Sequence, residues 1–427
     1  MKPGSDKEIK LLNRNARVRT RRLKLAAYAA AVAAGFSTAA VAQDSVTSPA
    51  KLPRPGYEYD GFEIGGLEVD ARVDASIDYS SNVFRTSVDE ADDFRVHINP
   101  SLSVAKEVGS GRITAEGHMG LRRHFDLVRE NSTTYGGSLN YVVSGEKAQN
   151  FSATLGFDRN IERRADPETR AGPTDRPRKI NAFLAEAAYT RSSGRIRTTV
   201  AIGTEKYNQL DPAEDDRDMQ IYRASVTVGY RFASSLDLFA LVYVNRRDFR
   251  LAQDFSGVNR DQNTYGAIFG VQREIGNRLH GKMGVGVFRT DPKEDTILPA
   301  NTGLRLEGEI TWSPRDRTSL NFGISRGDVA TVRSGASTRV DTVARFRIDQ
   351  EIRHNLLASL SIGYVDLRYR GESRDNLKTI GGTARVEYLF DRRTSFFASA
   401  EYDRRSARDP IDKYKEKILT FGIIRRF

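Results

Sequence analysis

The chain has no cysteine among its 427 residues. This absence excludes disulfides, thiolate metal sites and a lipid anchor attached at a cysteine. Long apolar runs are also scarce: after Phe36 no stretch of about 20 apolar residues occurs, as a transmembrane helix would need. A mean hydropathy of −0.52 is typical of a soluble protein. A large barrel with a polar lumen and long polar loops gives the same value, so hydropathy alone does not decide between them.

Catalytic signatures are weak as well. The five histidines do not show the H-E-x-x-H spacing of a zinc site; they are His97, His118, His124, His280 and His354. His118 and His124 fall on the inner face of a predicted strand, whereas an outer-membrane lipase needs its Ser/His pair on the lipid-facing side. The segment from Gly323 to Gly327 matches G-x-S-x-G, but that motif needs a strand followed at once by a helix. We therefore predict no catalytic residues, no metal site and no cofactor.

Positive charge is concentrated at the start of the chain. The formal net charge is +11, but residues 1–42 hold nine Lys or Arg and two acids, so the remainder carries only 11 − 7 = +4. A nucleic-acid partner therefore loses its main support. A basic start, an apolar run from Leu25 to Phe36, and Ala40 and Ala42 before Gln43 predict a secretory signal peptide over residues 1–42.

From Leu67 to Tyr79 apolar and polar residues alternate without an error over thirteen positions. Strands in soluble domains usually have five or six residues, whereas longer alternating segments, repeated many times, are typical of membrane barrels. Such segments recur about eighteen times, with 16–18 as the range. We therefore predict an all-β, up-and-down antiparallel transmembrane β-barrel over residues 67–427, preceded by a short periplasmic linker over 43–66.

Connections in this pattern alternate between short turns and long polar loops. Short periplasmic turns and long outer loops are the rule in outer-membrane barrels, which predicts an outer-membrane protein with both termini in the periplasm. The same topology gathers aromatic residues into two girdles, one near each predicted membrane interface.

The last predicted strand carries an assembly signal for such barrels. Its apolar face holds Leu419, Phe421 and Ile423, and the chain ends at Phe427. An amphipathic strand with an aromatic end is what the barrel-assembly machinery recognises in its clients. We expect that machinery, outer-membrane lipid and lipopolysaccharide among the partners.

The predicted inner face is rich in charge of both signs. Either these side chains line a hydrated lumen for a hydrophilic, even acidic, substrate, or they pair across strands and only keep the interior wet. The candidates for lining the lumen are Asp70, Arg72, Asp74, Arg95, Glu116, Arg122, Arg197, Arg231, Arg305, Glu307, Arg345, Arg385 and Glu387. A separate acidic loop over 211–216 either binds divalent ions that bridge lipopolysaccharide or is simply solvated.

The most distinctive stretch lies near the start of the predicted mature chain. It combines Arg54, Pro55 and Tyr57 with a first strand that ends in Tyr79, Asn82, Val83 and Phe84. This stretch resembles the outer-membrane beta-barrel porin family found with exopolysaccharide and capsule export loci. The chain departs from that family's pattern at Ser80, usually Asp, and at Arg425, often aromatic. The resemblance implies a role in moving a secreted polysaccharide across the outer membrane, together with a periplasmic export complex.

Three functions stay open at this stage. The leading hypothesis is a non-enzymatic channel for export of an exopolysaccharide or capsular polysaccharide. The alternative is a general diffusion or sugar-uptake porin. The second alternative is a structural or adhesin barrel that acts through its outer loops. Periodicity and composition indicate only the barrel.

Overall fold

The long alternating segments fold into a single closed sheet. A computed structural model describes residues 49, 52, 54–59, 61–145, 149–168, 175–275, 278–294, 297–333, 335–371 and 376–427. Eighteen antiparallel strands follow one another around a barrel, each paired with its neighbours in sequence, and the last strand pairs with the first long one. Closure satisfies every strand edge, which a sheet in lipid requires. The predicted fold class, including its count of eighteen strands, is confirmed.

Nineteen strands are present in the described residues, because one short strand precedes the barrel. They are β1 Phe62–Ile64, β2 Leu67–Ser80, β3 Asp93–Val108, β4 Gly111–His124, β5 Ser132–Gly145, β6 Gln149–Ile161, β7 Lys179–Ser193, β8 Ile196–Gln209, β9 Met219–Ala233, β10 Leu236–Phe249, β11 Gln262–Ile275, β12 Leu279–Pro292, β13 Asn301–Arg315, β14 Thr318–Val329, β15 Ala336–Arg353, β16 Leu356–Gly371, β17 Asn376–Leu389, β18 Thr394–Ser406 and β19 Tyr414–Arg426. Short 3-10 helices occupy Val128–Glu130, Pro212–Arg217 and Pro410–Asp412. No helix of the described part is long and apolar enough to span a membrane.

The strand β1 lies within the predicted linker and was not anticipated. It forms a hairpin with the start of β2, with Phe62 opposite Val69 and Ile64 opposite Leu67. The strand β19 pairs with the same edge of β2 farther along, from Arg72 to Ser80. The amide of Phe427 donates to the carbonyl of Ala71 at 2.9 Å, so the two partners of β2 lie almost end to end.

The two ends of the barrel differ in their connections. At one end, here called the short-turn end, two-residue turns join strands, as at 109–110 and 194–195. At the other, the long-loop end, connections reach 81–92 and 162–178. Phe427 and β1 lie at the short-turn end. The outer face carries exposed apolar side chains between the two ends, such as Ile77, Leu102 and Phe269.

The buried apolar clusters lie near the long-loop end, on the inner side of the sheet. One consists of Ala336, Leu367, Tyr369 and Leu377, and the other of Ile180, Tyr207 and Ile221. The barrel therefore has no continuous apolar core. The predicted signal peptide, with Ala40 and Ala42, lies outside the described residues and stays a prediction.

Candidate functional site: the inner wall and its two inward loops

Strand register divides each strand into an inner and an outer face. Residues directly opposite each other in a sheet project to the same side, so the exposed apolar residues mark the outer face. Asp78 lies opposite Arg95 and Thr420, while its neighbour Ile77 lies opposite Val96 and Phe421, which is 63% exposed. Extended around the barrel, this register places all thirteen candidate lumen residues on the inner face. Contact between a solute and these residues remains a prediction.

Many inner charges are paired with one another. The bond from Arg72 Nε to Asp74 Oδ1 is 2.5 Å, and that from Arg95 Nε to Asp78 Oδ1 is 2.6 Å. Longer pairs join Lys282 to Glu307, Arg231 to Asp237 and Arg385 to Glu387, all at 3.5 Å. The guanidinium of Arg305 lies 5.7 Å from the ring of Tyr243. The wall is thus polar and largely self-compensating in charge.

Arg345 differs from these residues in its surroundings. Its cross-strand neighbours are Gly323 and Gly363, so no side chain flanks it on either side. None of the ion pairs among the described residues includes Arg345, Arg122 or Arg197. Of these three arginines Arg345 is exposed, so its charge is accessible to a solute.

Two segments from the long-loop end fold inward and narrow the barrel. The first is the start of the β6–β7 loop, residues 162–168. The second is the tip of the β14–β15 hairpin, residues 328–341, here called the hairpin tip. Both faces of the tip are buried: Val329, Thr338, Arg339 and Val340 are at most 3% exposed. Such burial needs protein on both sides of a two-stranded segment, which the wall alone does not supply.

Glu168 joins the two segments. Its carboxylate accepts hydrogen bonds from Thr331 Oγ1 at 3.0 Å and from the Val332 amide at 3.1 Å. It also accepts from Arg339 Nη1 at 2.6 Å and from the Tyr369 hydroxyl at 3.1 Å. The strands β6 and β14 are eight positions apart on an eighteen-strand ring, nearly opposite each other. One carboxylate therefore closes a bridge across the lumen.

Arginines from β10 and from the β10–β11 loop hold the hairpin tip in place. Arg247 Nη1 lies 2.6 Å from Asp328 Oδ2, and both side chains are 2% exposed. Arg260 Nη1 donates to the Ala336 carbonyl at 2.5 Å. Because buried charges are costly to leave unpaired, these contacts favour a single position of the tip.

Contacts with β18 and with the two neighbouring loops hold the β6–β7 loop in place. Arg405 of β18 donates to the Ala165 carbonyl at 2.6 Å, and Arg217 reaches Glu162 at 2.5 Å. Arg164 pairs with Glu130, with its Nε 3.1 Å from Oε2. Burial, together with the negative charge of Glu162, raises the pKa of Asp166. This loop therefore contains one carboxyl that resists ionisation.

The motif residues Arg54, Pro55 and Tyr57 lie at the short-turn end. Arg54 Nη2 is 3.2 Å from Glu351 Oε2 of β15, and both residues are 5% exposed. The ring of His354 meets that of Tyr57 edge-on at 5.9 Å, and its Nε2 lies 3.4 Å from the Pro55 carbonyl. The segment before β1 therefore extends across this opening, from the β15–β16 turn to β1 beside β2.

The remaining motif residues form a corner at the long-loop end. Asn82 is fully buried and donates to the carbonyls of Thr86 at 2.6 Å and Lys415 at 3.0 Å. The Val83 amide donates to the Ala91 carbonyl, and the ring of Phe84 lies beneath the Arg164 guanidinium. Tyr79 is on the outer face, with its hydroxyl 3.0 Å from Asp92. The motif therefore secures the first loop against β19.

The geometry bears on three hypotheses from the sequence and changes one of them. The acidic loop at 211–216 is not simply solvated, because Glu214 and Asp216 are at most 1% exposed and Glu214 Oε2 pairs with Arg217 at 2.7 Å. The segment Gly323 to Gly327 lies within β14 and no helix follows it. His124 pairs with Asp93 at 3.0 Å and His118 with Asp158 at 3.1 Å. No group of three metal-ligating side chains occurs in the described ranges.

Sequence reasoning missed the inward loops. The signal available in the sequence was the poor alternation of apolar and polar residues near 328–341. In the structure, successive residues of this segment are buried on both faces. Glu168 stands in a polar loop and looks like any solvated acid. Its role depends on the distant residues Thr331, Arg339 and Tyr369, which no local pattern brings together.

Comparison with known proteins agrees with the barrel. Residues 54–427 match the family described as Putative beta-barrel porin 2. Nothing among curated proteins matches. Similar solved structures include the outer membrane protein OpdK of Pseudomonas aeruginosa, with 11% identity, 84% of this chain, 99% of that chain and a TM-score of 0.46. OccK2 (OpdF) of the same organism has 10% identity, coverage of 84% and 98%, and a TM-score of 0.46.

The FrpB iron transporter of Neisseria meningitidis is also similar, with 10% identity, 80% of this chain, 63% of that chain and a TM-score of 0.45. The family match extends over the whole barrel and begins at Arg54, the first residue of the motif described above. The chain therefore belongs to the Putative beta-barrel porin 2 family, a family of outer-membrane β-barrel porins.

Proposed function

We propose that this porin is the outer-membrane channel for export of an exopolysaccharide or capsular polysaccharide, and that it receives the polymer from a periplasmic export complex. The observation that carries the proposal is the resemblance stretch, whose residues have defined positions at both openings. Arg54 binds Glu351 at the short-turn end, and Asn82 binds the Lys415 carbonyl at the long-loop end. We place the short-turn end in the periplasm.

The inner wall supports passage of a hydrated polymer. An eighteen-strand barrel encloses more space than its own side chains fill. The wall is polar, and its obstruction consists of two loops joined mainly through the carboxylate of Glu168. A polymer rich in hydroxyl groups offers its own hydrogen-bond donors and acceptors, so it can compete for the contacts that join the two loops.

A small-solute porin is the second candidate, and one observation favours it. The hairpin tip is buried on both faces and meets Arg247 of β10 and Glu168 of the β6–β7 loop, so these two segments fill part of the lumen. A fixed constriction of this kind suits diffusion of small solutes. A structural or adhesin barrel gains no such support, since the described parts of two of its loops are folded inward.

Deletion of the gene in its natural host separates these functions. Export predicts that secreted polysaccharide falls severalfold, while growth on a limiting sugar is unchanged. Uptake predicts the reverse pattern. Complementation with the natural chain must restore whichever property is lost. Unchanged secretion in the deletion strain would show that export is wrong.

A further inference from the structure

The outer face at the long-loop end carries a repeated pairing of rings and cations. Register places Arg159 opposite Tyr135, Lys206 opposite Phe183, and Arg246 opposite Tyr222. It also places Arg289 opposite Tyr265 and Lys417 opposite Tyr402. Each of the five rings is between 41% and 49% exposed. These five ring–cation pairs, here called the basic belt, lie on alternate strand pairs from β5 to β12 and on the pair β18–β19.

At the short-turn end, three exposed rings have no cation directly opposite them in the sheet, although Arg195 Nη1 lies 3.5 Å from the Tyr230 hydroxyl. Tyr189 lies between Phe151 and Val200, and Tyr230 lies between Ile196 and Leu238. Trp312 likewise lies between Leu279 and Leu320. The two ends thus differ in what lies directly opposite these rings: a cation in the five pairs of the long-loop end, and an apolar side chain for these three rings of the short-turn end. A membrane whose two leaflets have the same headgroups gives no reason for this difference.

The cations of the basic belt remain available to a ligand. Arg159 donates from Nε to the neutral amide oxygen of Asn181 at 2.8 Å and lies 5.5 Å from the centre of the Tyr135 ring, so its charge is not compensated. Arg246 and Arg289 bind Asp248 and Asp291 at 2.8 Å, but their side chains are 65% and 61% exposed. Exposed pairs of this kind are weak.

We infer that the basic belt binds the phosphorylated sugar headgroups of the glycolipid in the outer leaflet. Aromatic rings settle at the headgroup level of a bilayer. A cation beside each ring then lies at the depth of phosphates attached to the headgroup sugars. Arginine and lysine recognise phosphate through charge-assisted hydrogen bonds. The inference does not depend on the proposed transport function, since a barrel that conducts nothing would bind the same lipid.

The inference also fixes orientation. The ring–cation pairs belong to the long-loop end, so that end faces the glycolipid leaflet and Phe427 faces the periplasm. The orientation predicted from loop lengths and the one inferred from charge are therefore the same, although they use different residues.

The test compares two sets of substitutions in the refolded mature barrel. The belt set is R159Q, K206Q and R289Q together. The control set is K106Q, R191Q and R273Q, which removes three exposed cations from the outer face of the short-turn end. Native mass spectrometry then counts bound bisphosphorylated lipid A, with dephosphorylated lipid A and phosphatidylglycerol as the other probes.

We expect the belt set to lower the affinity for bisphosphorylated lipid A at least about tenfold, because each cation near an anionic surface contributes to binding. The control set should leave that affinity unchanged, and the natural chain should bind dephosphorylated lipid A weakly. Equal losses in both sets, or equal binding of phosphatidylglycerol, would overturn the inference. If the belt set does not refold, K206Q and K417Q are measured singly, and the absence of any loss in both overturns it.

Discussion

Glu168 is the residue on which the inward loops depend. It accepts four hydrogen bonds from the hairpin tip and from Tyr369, and no other described residue of the β6–β7 loop has as many contacts with that tip. Removing the carboxylate leaves the Arg339 guanidinium with only Asp341 as an ionic partner. The hairpin tip and the loop should then separate.

We predict that Glu168→Ala raises single-channel conductance severalfold while the amount of protein in the membrane stays normal. Planar-bilayer recordings give the conductance, and immunoblots of outer membranes give the amount. Glu309→Gln is the matched control, because Glu309 is an exposed acid on the inner face, away from both loops. Equal conductance in the two variants would show that the loops do not obstruct flow.

The raised pKa of Asp166 predicts that the position of the inward loop, and with it the conductance, depends on pH. This pKa is raised by burial and by Glu162, so the inward loop disfavours the ionised form. The loop position is therefore most stable below the ordinary aspartate pKa and loses this stability as pH rises through the raised value. Conductance should increase with pH over that interval. Asp166→Asn keeps an oxygen for the Glu168 amide, now 2.9 Å away, and should abolish this part of the pH dependence.

At the scale of the strand, the two faces of β2 give opposite expectations. Ala71 projects outward and Arg72 inward, where it binds Asp74. Ala71→Arg should reduce the inserted amount, since a cation facing hydrocarbon costs roughly 2–4 kcal/mol near the midplane. Arg72→Ala should insert normally and change only conductance. Membrane level and conductance are measured for both, and the reverse result would mean that the facing assignments are inverted.

The last strand allows a second test at this scale. Phe427 is 52% exposed, and its amide is the last donor in the seam with β2. Deleting Phe427 should leave secretion across the inner membrane intact but lower the inserted amount and induce periplasmic stress. Deleting the side chain alone, by Phe427→Ala, distinguishes loss of the aromatic signal from loss of the backbone bond. Normal membrane levels of both variants would contradict the predicted assembly signal.

Strands and faces were predictable because period 2 is a local property. The alternation from Leu67 to Tyr79 shows which residues share each face of the strand, and the same holds for most strands. The inward loops were not predictable, because Glu168 and Arg339 are 171 residues apart in sequence. The strand β1 was missed for a different reason: three residues, Phe62 to Ile64, are too few to display a period.

At the scale of the whole molecule, closure determines resistance to denaturation. Every long strand has two partners, so no edge is open to detergent. Unheated protein in mild detergent should therefore migrate faster on a gel than boiled protein. Identical migration of the two samples would be inconsistent with a closed barrel.

The position of β1 has a consequence for how the barrel closes correctly. In a sheet whose side chains alternate, β19 slipping by two residues along β2 keeps every apolar side chain facing lipid, so burial alone does not oppose that error. A slip toward the short-turn end would move Phe427 from Ala71 to Val69, which already pairs with Phe62. The hairpin of β1 and β2 joins residues close in sequence and occupies the edge of β2 just beyond the seam. The hairpin therefore blocks this two-residue slip and fixes the position on β2 at which β19 ends.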